Sequence, residues 1–127
     1  MRKLIETGLP PINQPFSWAV QSQGILFTAH GPVTPDGLVA NAEIEAQTRL
    51  TFENLRSAVE AAGRTLDDVA QVLVYMLKAE DMRVIDSVYR EFFREPWPSR
   101  SSVVVSGFVH PSMRIEIVAY VGPTDEQ

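Results

Sequence analysis

The sequence predicts an α+β protein, a mixed β-sheet with two helices packed on one of its faces. Three observations carry that expectation. Two long segments with apolar residues at spacings of three and four alternate with short apolar runs, in the order strands, helix, strand, helix, strand, strand. A strand that crosses through a helix to a parallel strand does so right-handedly, which puts both helices on the same side. In the middle run, Val69 to Leu77, the residues Val72, Val74 and Met76 alternate with Leu73, Tyr75 and Leu77, so both faces of that strand are apolar. The helices cover one face. The other calls for a second chain, because an uncovered apolar sheet face marks an interface. An oligomer is expected on these grounds alone.

The elements follow in order. After the turn at Gly8-Leu9-Pro10-Pro11, Ser17 to Val20 and Gly24 to Thr28 read as two strands around the polar Gln21-Ser22-Gln23. Pro32-Val33-Thr34-Pro35-Asp36-Gly37 is a turn, since proline fixes φ and glycine supplies positive φ. Asn41 is expected to cap a helix running to about Ala62, with Gly63 as its stop. Its apolar stripe is Ile44, Phe52, Leu55, Val59 and Ala62, joined by Thr48, while Glu43, Glu45, Glu53 and Glu60 read as its solvated side. Thr65 with Asp68 resembles a short capped turn. Asp81 begins a second helix with Met82, Ile85, Tyr89 and Phe92 on one side, closed by Pro96 and Pro98. Strands at about Ser101 to Val105 and Met113 to Tyr120 complete the chain.

Composition narrows the function. A chain of 127 residues has the size of one domain, 1–127, and shows no internal repeat or linker. With 45% hydrophobic and 21% charged residues it has the balance of a globular protein. No apolar run approaches the roughly 18 residues that cross a bilayer, and the N-terminus lacks the apolar stretch of a signal peptide. A cytoplasmic location without membrane contact is expected. The absence of cysteine removes disulfides, thiolate metal sites and thiol nucleophiles. The net charge is −5 and the 11 Lys and Arg residues are scattered, which disfavours nucleic acid as a partner. No glycine-rich phosphate loop is present, and neither His30 nor His110 has the neighbours of a metal site or a catalytic triad, so no cofactor or metal is expected. His110 reads as a turn residue. His30 reads as a surface or turn histidine, or as a ligand contact at the end of a strand.

Arg100 and Glu116 stand out. Arg100 lies at the mouth of a strand between Pro98 and the run Val103-Val104-Val105. Glu116 sits in the otherwise apolar Ile115-Glu116-Ile117-Val118, pointing away from the side built by Ile115 and Ile117 and toward the expected interface. If both charges are partly desolvated there, each needs a partner. One reading is structural: an ion pair, with Arg114 a candidate for Glu116, or an arginine at a rim. The other is a site. A guanidinium matches a carboxylate with a planar fork of donors, Ser101 and Ser102 can add donors beside it, and Glu116 can hold a water or move a proton.

The stretch Pro98 to Ile117 resembles the signature of the Rid family, the reactive-intermediate (enamine/imine) deaminases also called YjgF proteins. The matching elements are Pro98-Ser99-Arg100-Ser101, the strand Val103 to Val105, and Ile115-Glu116-Ile117. Further matches are Gln14-Pro15-Phe16-Ser17-Trp18-Ala19-Val20, Gln47-Thr48 with Asn54-Leu55, Ala61-Ala62-Gly63, Leu66-Asp67-Asp68-Val69, and Val88-Tyr89-Arg90-Glu91-Phe92-Phe93. Together they span about Pro15 to Val121. The resemblance implies a chorismate-mutase-like YjgF fold, a homotrimer, and active sites in the clefts between subunits. It implies hydrolysis of small carboxylate-bearing imines and enamines of the 2-aminoacrylate type to 2-keto acids and ammonia, without cofactor or metal. Arg100 matches the carboxylate-binding arginine and Glu116 the glutamate associated with the hydrolytic water; Ser102 falls where the family often has cysteine. The implied pocket also takes in Phe16, His30, Gly31, Asp86 and Ser101. Phe16 stands where the family has tyrosine, Asp86 where many members have asparagine, and Ala29-His30-Gly31 or His30-Gly31-Pro32 where the family has Ser-Gly-Gln. Two alternatives accompany this reading: a trimer of the same fold that binds a small acid without turnover, and an RNA-cleaving or translation-inhibiting role, which the charge disfavours.

Overall fold

The computed structural model describes residues 1–124. The described residues build one sheet from six strands: β1 (Lys3–Leu4), β2 (Ala19–Ser22), β3 (Ile25–His30), β4 (Val69–Met76), β5 (Ser99–Val104) and β6 (Ile115–Val121). Their order across the sheet is β1-β2-β3-β6-β4-β5. Two helices, α1 (Ile44–Ala61) and α2 (Met82–Phe92), complete the fold. All neighbouring strands are antiparallel except β4 and β5, which are parallel because α2 carries the chain back across the sheet between them. The mixed sheet with two helices is the predicted architecture.

Alternation within the strands decides what is buried. Leu26, Thr28 and His30 of β3, Val72, Val74 and Met76 of β4, and Ile115, Ile117, Ala119 and Val121 of β6 form the inner face. Against them pack Ile44, Phe52, Leu55 and Val59 of α1, and Ile85, Val88 and Tyr89 of α2. Phe52 is the hub where the helices meet: its ring lies 5.6 Å from Tyr89, 5.6 Å from Phe92 and 5.8 Å from Phe93. Full burial of such a side chain contributes about 3 kcal/mol.

Several boundaries differ from the sequence expectation. Gln21 and Ser22 belong to β2, because β1 and β3 pair with that strand on either side of Gln21. The tight turn is therefore Gln23-Gly24, both at positive φ (55° and 78°), the geometry of a two-residue hairpin. Strand β1 is too short to leave a period in the sequence. Helix α1 starts at Ile44, and its capping position is Glu43 rather than Asn41. The entrance is held instead by Gln47, wholly buried, whose Nε2 donates to the carbonyls of Ala40 (2.8 Å) and Ser112 (2.7 Å) while its Oε1 accepts from Arg114 N (2.8 Å). Gly63 ends the helix region at φ 76°, as expected. Thr65 and Asp68 do form a capping box around the single turn Leu66–Asp68. Strand β5 begins at Ser99, so Arg100 lies within the strand and not at its mouth.

Candidate functional site

In the parallel pair β4–β5, Val72 is level with Arg100 and Val74 with Ser102. Residues level with one another on paired strands share a face, so Arg100 and Ser102 point to the helix side of the sheet. Among the described residues no strand lies beyond β5, and Arg100 faces α2. One side of that helix, at spacings of four and three, presents Met82, Asp86 and Tyr89. Arg100 Nη2 donates to Asp86 Oδ1 at 2.7 Å and lies 3.3 Å from Met82 Sδ. Its Cζ stands 4.7 Å from the centroid of the Tyr89 ring, a cation–π arrangement. Asp86, Tyr89 and Arg100, with Arg90, Trp97 and Pro98, line a cleft of about 210 Å³. The ion pair is partly buried, with 24% of the Arg100 side chain and 32% of the Asp86 side chain exposed. The Tyr89 hydroxyl is buried with no hydrogen-bond partner among the described residues. Burial pushes its pKa up, against the opposing pull of the Arg100 charge.

Glu116 lies elsewhere. It is level with Tyr75 of β4, and its neighbours Ile115 and Ile117 are buried on the inner face, so it projects from the outer face. There it is half-buried without a hydrogen-bond partner among the described residues, and burial pushes its carboxyl above the ordinary 4.5. The expectation that Arg100 and Glu116 share one side of the sheet is therefore incorrect. They occupy opposite faces, and Tyr75, level with Glu116, is three residues along β4 from Val72, level with Arg100, roughly 10 Å of strand. The structural ion pair is found for Arg100 and not for Glu116. Arg100 pairs with Asp86, while Arg114 Nη1 lies 3.8 Å from Glu43 and not against Glu116. Ser101 and Ser102 also separate: Ser102 shares the Arg100 side, and Ser101 points outward, exposed.

The remaining pocket candidates gather at the end of β3. His30 is neither a surface nor a turn residue; it is 1% exposed on the inner face. Its Nε2 meets Thr28 Oγ1, and that hydroxyl gives its single hydrogen to the Trp18 carbonyl at 3.0 Å. His30 Nε2 therefore carries the proton donated to Thr28, and Nδ1 is a bare acceptor, buried without a partner among the described residues. Burial lowers the pKa to about 3, so the ring is neutral. It stacks on Trp18 (5.9 Å between centroids), and Phe16 meets the same indole edge-on at 5.3 Å. Gly31 follows, its carbonyl held by Asn54 Nδ2 at 3.0 Å; a Cβ there would come within 2.9 Å of Met113 Cε. His110 is an exposed turn residue whose Nδ1 accepts from Ser112 N at 3.1 Å.

One chain thus carries two groups. Arg100, Asp86 and Ser102 stand at the β5 edge, and Phe16, His30 and Gly31 stand at β3. His30, Ile117, Val74 and Ser102 form one row across the sheet, so about 14 Å of strand spacing separates the two groups. Met82, Tyr89 and Trp97 border Arg100 but are assigned to the core, or passed over, by periodicity. Their signal is the three-and-four spacing of Met82, Asp86 and Tyr89, which puts Asp86 on the side that also faces the sheet.

Residues 8–122 match the family described as Endoribonuclease L-PSP. The chain belongs to this family, the Rid proteins. A RutC family protein of Pyrococcus horikoshii is 37% identical over 109 residues, covering 84% of this chain and 86% of the relative. A 2-iminobutanoate/2-iminopropanoate deaminase of Dermatophagoides farinae is 29% identical over 123 residues, or 94% of this chain and 95% of that one. Among solved structures, TdcF of Escherichia coli with bound serine superposes with a TM-score of 0.86 at 30% identity, over 96% of this chain and 99% of that one. The Rid protein YyfA of Yersinia pestis reaches 0.90 at 27% identity, with the same coverage. The Rid fold and family implied by the signature around Arg100 are those of this chain. Deaminases stand among its relatives, which supports deaminase chemistry at the level of the family. No helix among the described residues is long and apolar enough to cross a membrane.

Proposed function

We propose that this Rid protein hydrolyses small imines and enamines that carry a carboxylate, releasing a 2-keto acid and ammonia. The observation that carries this reading is Arg100: an always-charged fork on an edge strand, opening on a cleft, with Nη1 and Nε unengaged by any side chain among the described residues. The names of the relatives agree, since one is a 2-iminobutanoate/2-iminopropanoate deaminase and the TdcF structure holds an amino acid. In the reaction, the ligand carboxylate docks on Arg100, and water adds to the carbon of the C=N bond. Glu116 takes a proton from that water and passes it to the nitrogen, giving a carbinolamine; as the C–N bond breaks, Glu116 moves the hydroxyl proton to the nitrogen as well, so ammonia leaves and a carbonyl remains. A carboxyl held above its ordinary pKa is a stronger base for this step. The contribution of Arg100 is chiefly positioning, which can account for several kcal/mol of the barrier.

Because Arg100 and Glu116 lie on opposite faces, the reaction needs two copies of the chain, with Arg100 of one and Glu116 of the next across a shared cleft. The apolar outer face supports this arrangement. Phe27, Leu73, Tyr75, Val103, Val118 and Tyr120 lie there uncovered by either helix among the described residues, and Phe27 and Val103 are 40% and 43% exposed. A homotrimer is the assembly we assign, on the family resemblance.

The test is the decay of 2-aminoacrylate generated by a coupled amino-acid dehydratase. Wild type is expected to accelerate it, and Arg100→Ala to lose about a hundredfold or more in kcat/KM. Equal rates for the two proteins would remove Arg100 from the role. A second reading, a trimer that binds a small acid without turnover, is favoured by Phe16, which offers no hydroxyl to a ligand or water; tight keto-acid binding without acceleration is its signature. RNA cleavage, which the family description names, is disfavoured by the net charge of −5.

A further inference from the structure

The Asp86–Arg100 pair changes what the arginine can recognise. A lone guanidinium attracts any small carboxylate. Here one carboxylate already stands beside it, 2.7 Å from Nη2, on the wall of the same cleft. Only Oδ1 of Asp86 is engaged; Oδ2 meets no donor among the described residues, and a third of the side chain is exposed. A ligand carboxylate that takes the remaining Arg100 donors therefore arrives next to a second negative charge with an unused acceptor. Like charges at that separation repel, whereas an N–H cation on the ligand would be satisfied by the same oxygen. Arg90 at the rim is exposed and favours every anion alike, so it does not discriminate.

We propose that Asp86 is a specificity-determining residue that makes the site select ligands bearing a protonated nitrogen next to their carboxylate, 2-iminium or 2-amino acids, over 2-keto acids bearing the carboxylate alone. This rests on the reading of Arg100 as the carboxylate anchor. The two charges of such a ligand complement the two charges of the pair: carboxylate on Arg100, N–H on Asp86. Hydrolysis removes the nitrogen, so the group that admits the substrate disfavours the product. Aspartate rather than asparagine at this position is thus a difference in charge class. An asparagine amide would leave Arg100 its full charge and offer the keto acid a donor.

The experiment is calorimetric titration at pH 7 with 2-aminobutanoate, a stable zwitterion, and with 2-oxobutanoate, an anion of the same chain length. Wild type, Asp86→Asn and Arg100→Ala are compared. Wild type should bind the amino acid more tightly. Asp86→Asn should shift the ratio of the two dissociation constants toward the keto acid by about fivefold to tenfold, and Arg100→Ala should weaken both ligands. Should the asparagine variant fail to fold, Asp86→Ser reads the same ratio. A ratio unchanged by either substitution, with both ligands still lost in Arg100→Ala, overturns the role of Asp86 and leaves the anchor intact. Undiminished binding of both ligands to Arg100→Ala overturns the anchor, and the selection by Asp86 with it.

Discussion

An unfolded chain protonates His30 below pH 6.5, whereas the folded chain, which lowers that pKa to about 3, does not. The unfolded state therefore binds the extra proton. Stability from this residue is fully present above pH 6.5 and is lost as the pH falls from there toward 3. Each unit in that window costs up to about 1.4 kcal/mol, or about 2 kcal/mol by pH 5. In urea titrations at pH 7 and pH 5, His30→Gln should shrink the stability difference between the two conditions by about that amount. A difference equal to that of wild type would mean that His30 charges within the fold. Glu116 has the opposite sign: its raised pKa costs stability as the pH rises above 4.5. At this scale the sequence showed which residues carry unusual chemistry but not where they point. Val103, Val104 and Val105 are consecutive and apolar, so no alternation reveals which face Arg100 takes. Its partner Asp86 sits 14 residues away on another element, a pairing that periodicity cannot see.

The helices were legible because a stripe at spacings of three and four survives in the sequence whatever the surroundings. What the stripe hid was Gln47, a polar side chain with no exposure in the first turn of α1. It acts as a staple, joining the turn before the helix, at Ala40, to the segment that leads into β6, at Ser112 and Arg114. Glu116 lies two residues beyond that staple. Gln47→Leu would leave these backbone groups unpaired in the interior, at a cost of about 2–4 kcal/mol in denaturant titration. It should also lower deaminase activity more than an exposed substitution such as Glu53→Ala, since the start of β6 would lose its anchor. Equal stability of Gln47→Leu and wild type would show that water replaces the three bonds. The strand ends were less legible than the helices for a similar reason: Gln21, Ser22 and Ser99 are strand residues by pairing and not by composition.

At the scale of the molecule, the two-sided apolar character of β4 remains the plainest signal. One face is met by the helices. The other, with Phe27, Leu73, Tyr75, Val118 and Tyr120, is met by neither helix among the described residues. Wild type should therefore sediment as an oligomer at micromolar concentration, and Val118→Asp should sediment as a folded monomer with deaminase activity lost. A wild-type monomer under these conditions, fully active, would end the reading of a site shared between copies.

The parallel pairing of β5 also has a consequence in time. The hairpin β2–β3 closes over two residues and can form within microseconds, but β5 can join β4 only after about twenty residues, α2 among them, have crossed the sheet. It then holds by one edge, with no strand outside it among the described residues. The pair β4–β5 is joined to β1–β2–β3 only when β6, made after β5, enters between β3 and β4, and a chain that begins to open at its outer edge releases the arginine early. Loss of the grip on a ligand is thus tied to the outermost strand, so a ligand held between Arg100 and Asp86 would fasten that edge to α2.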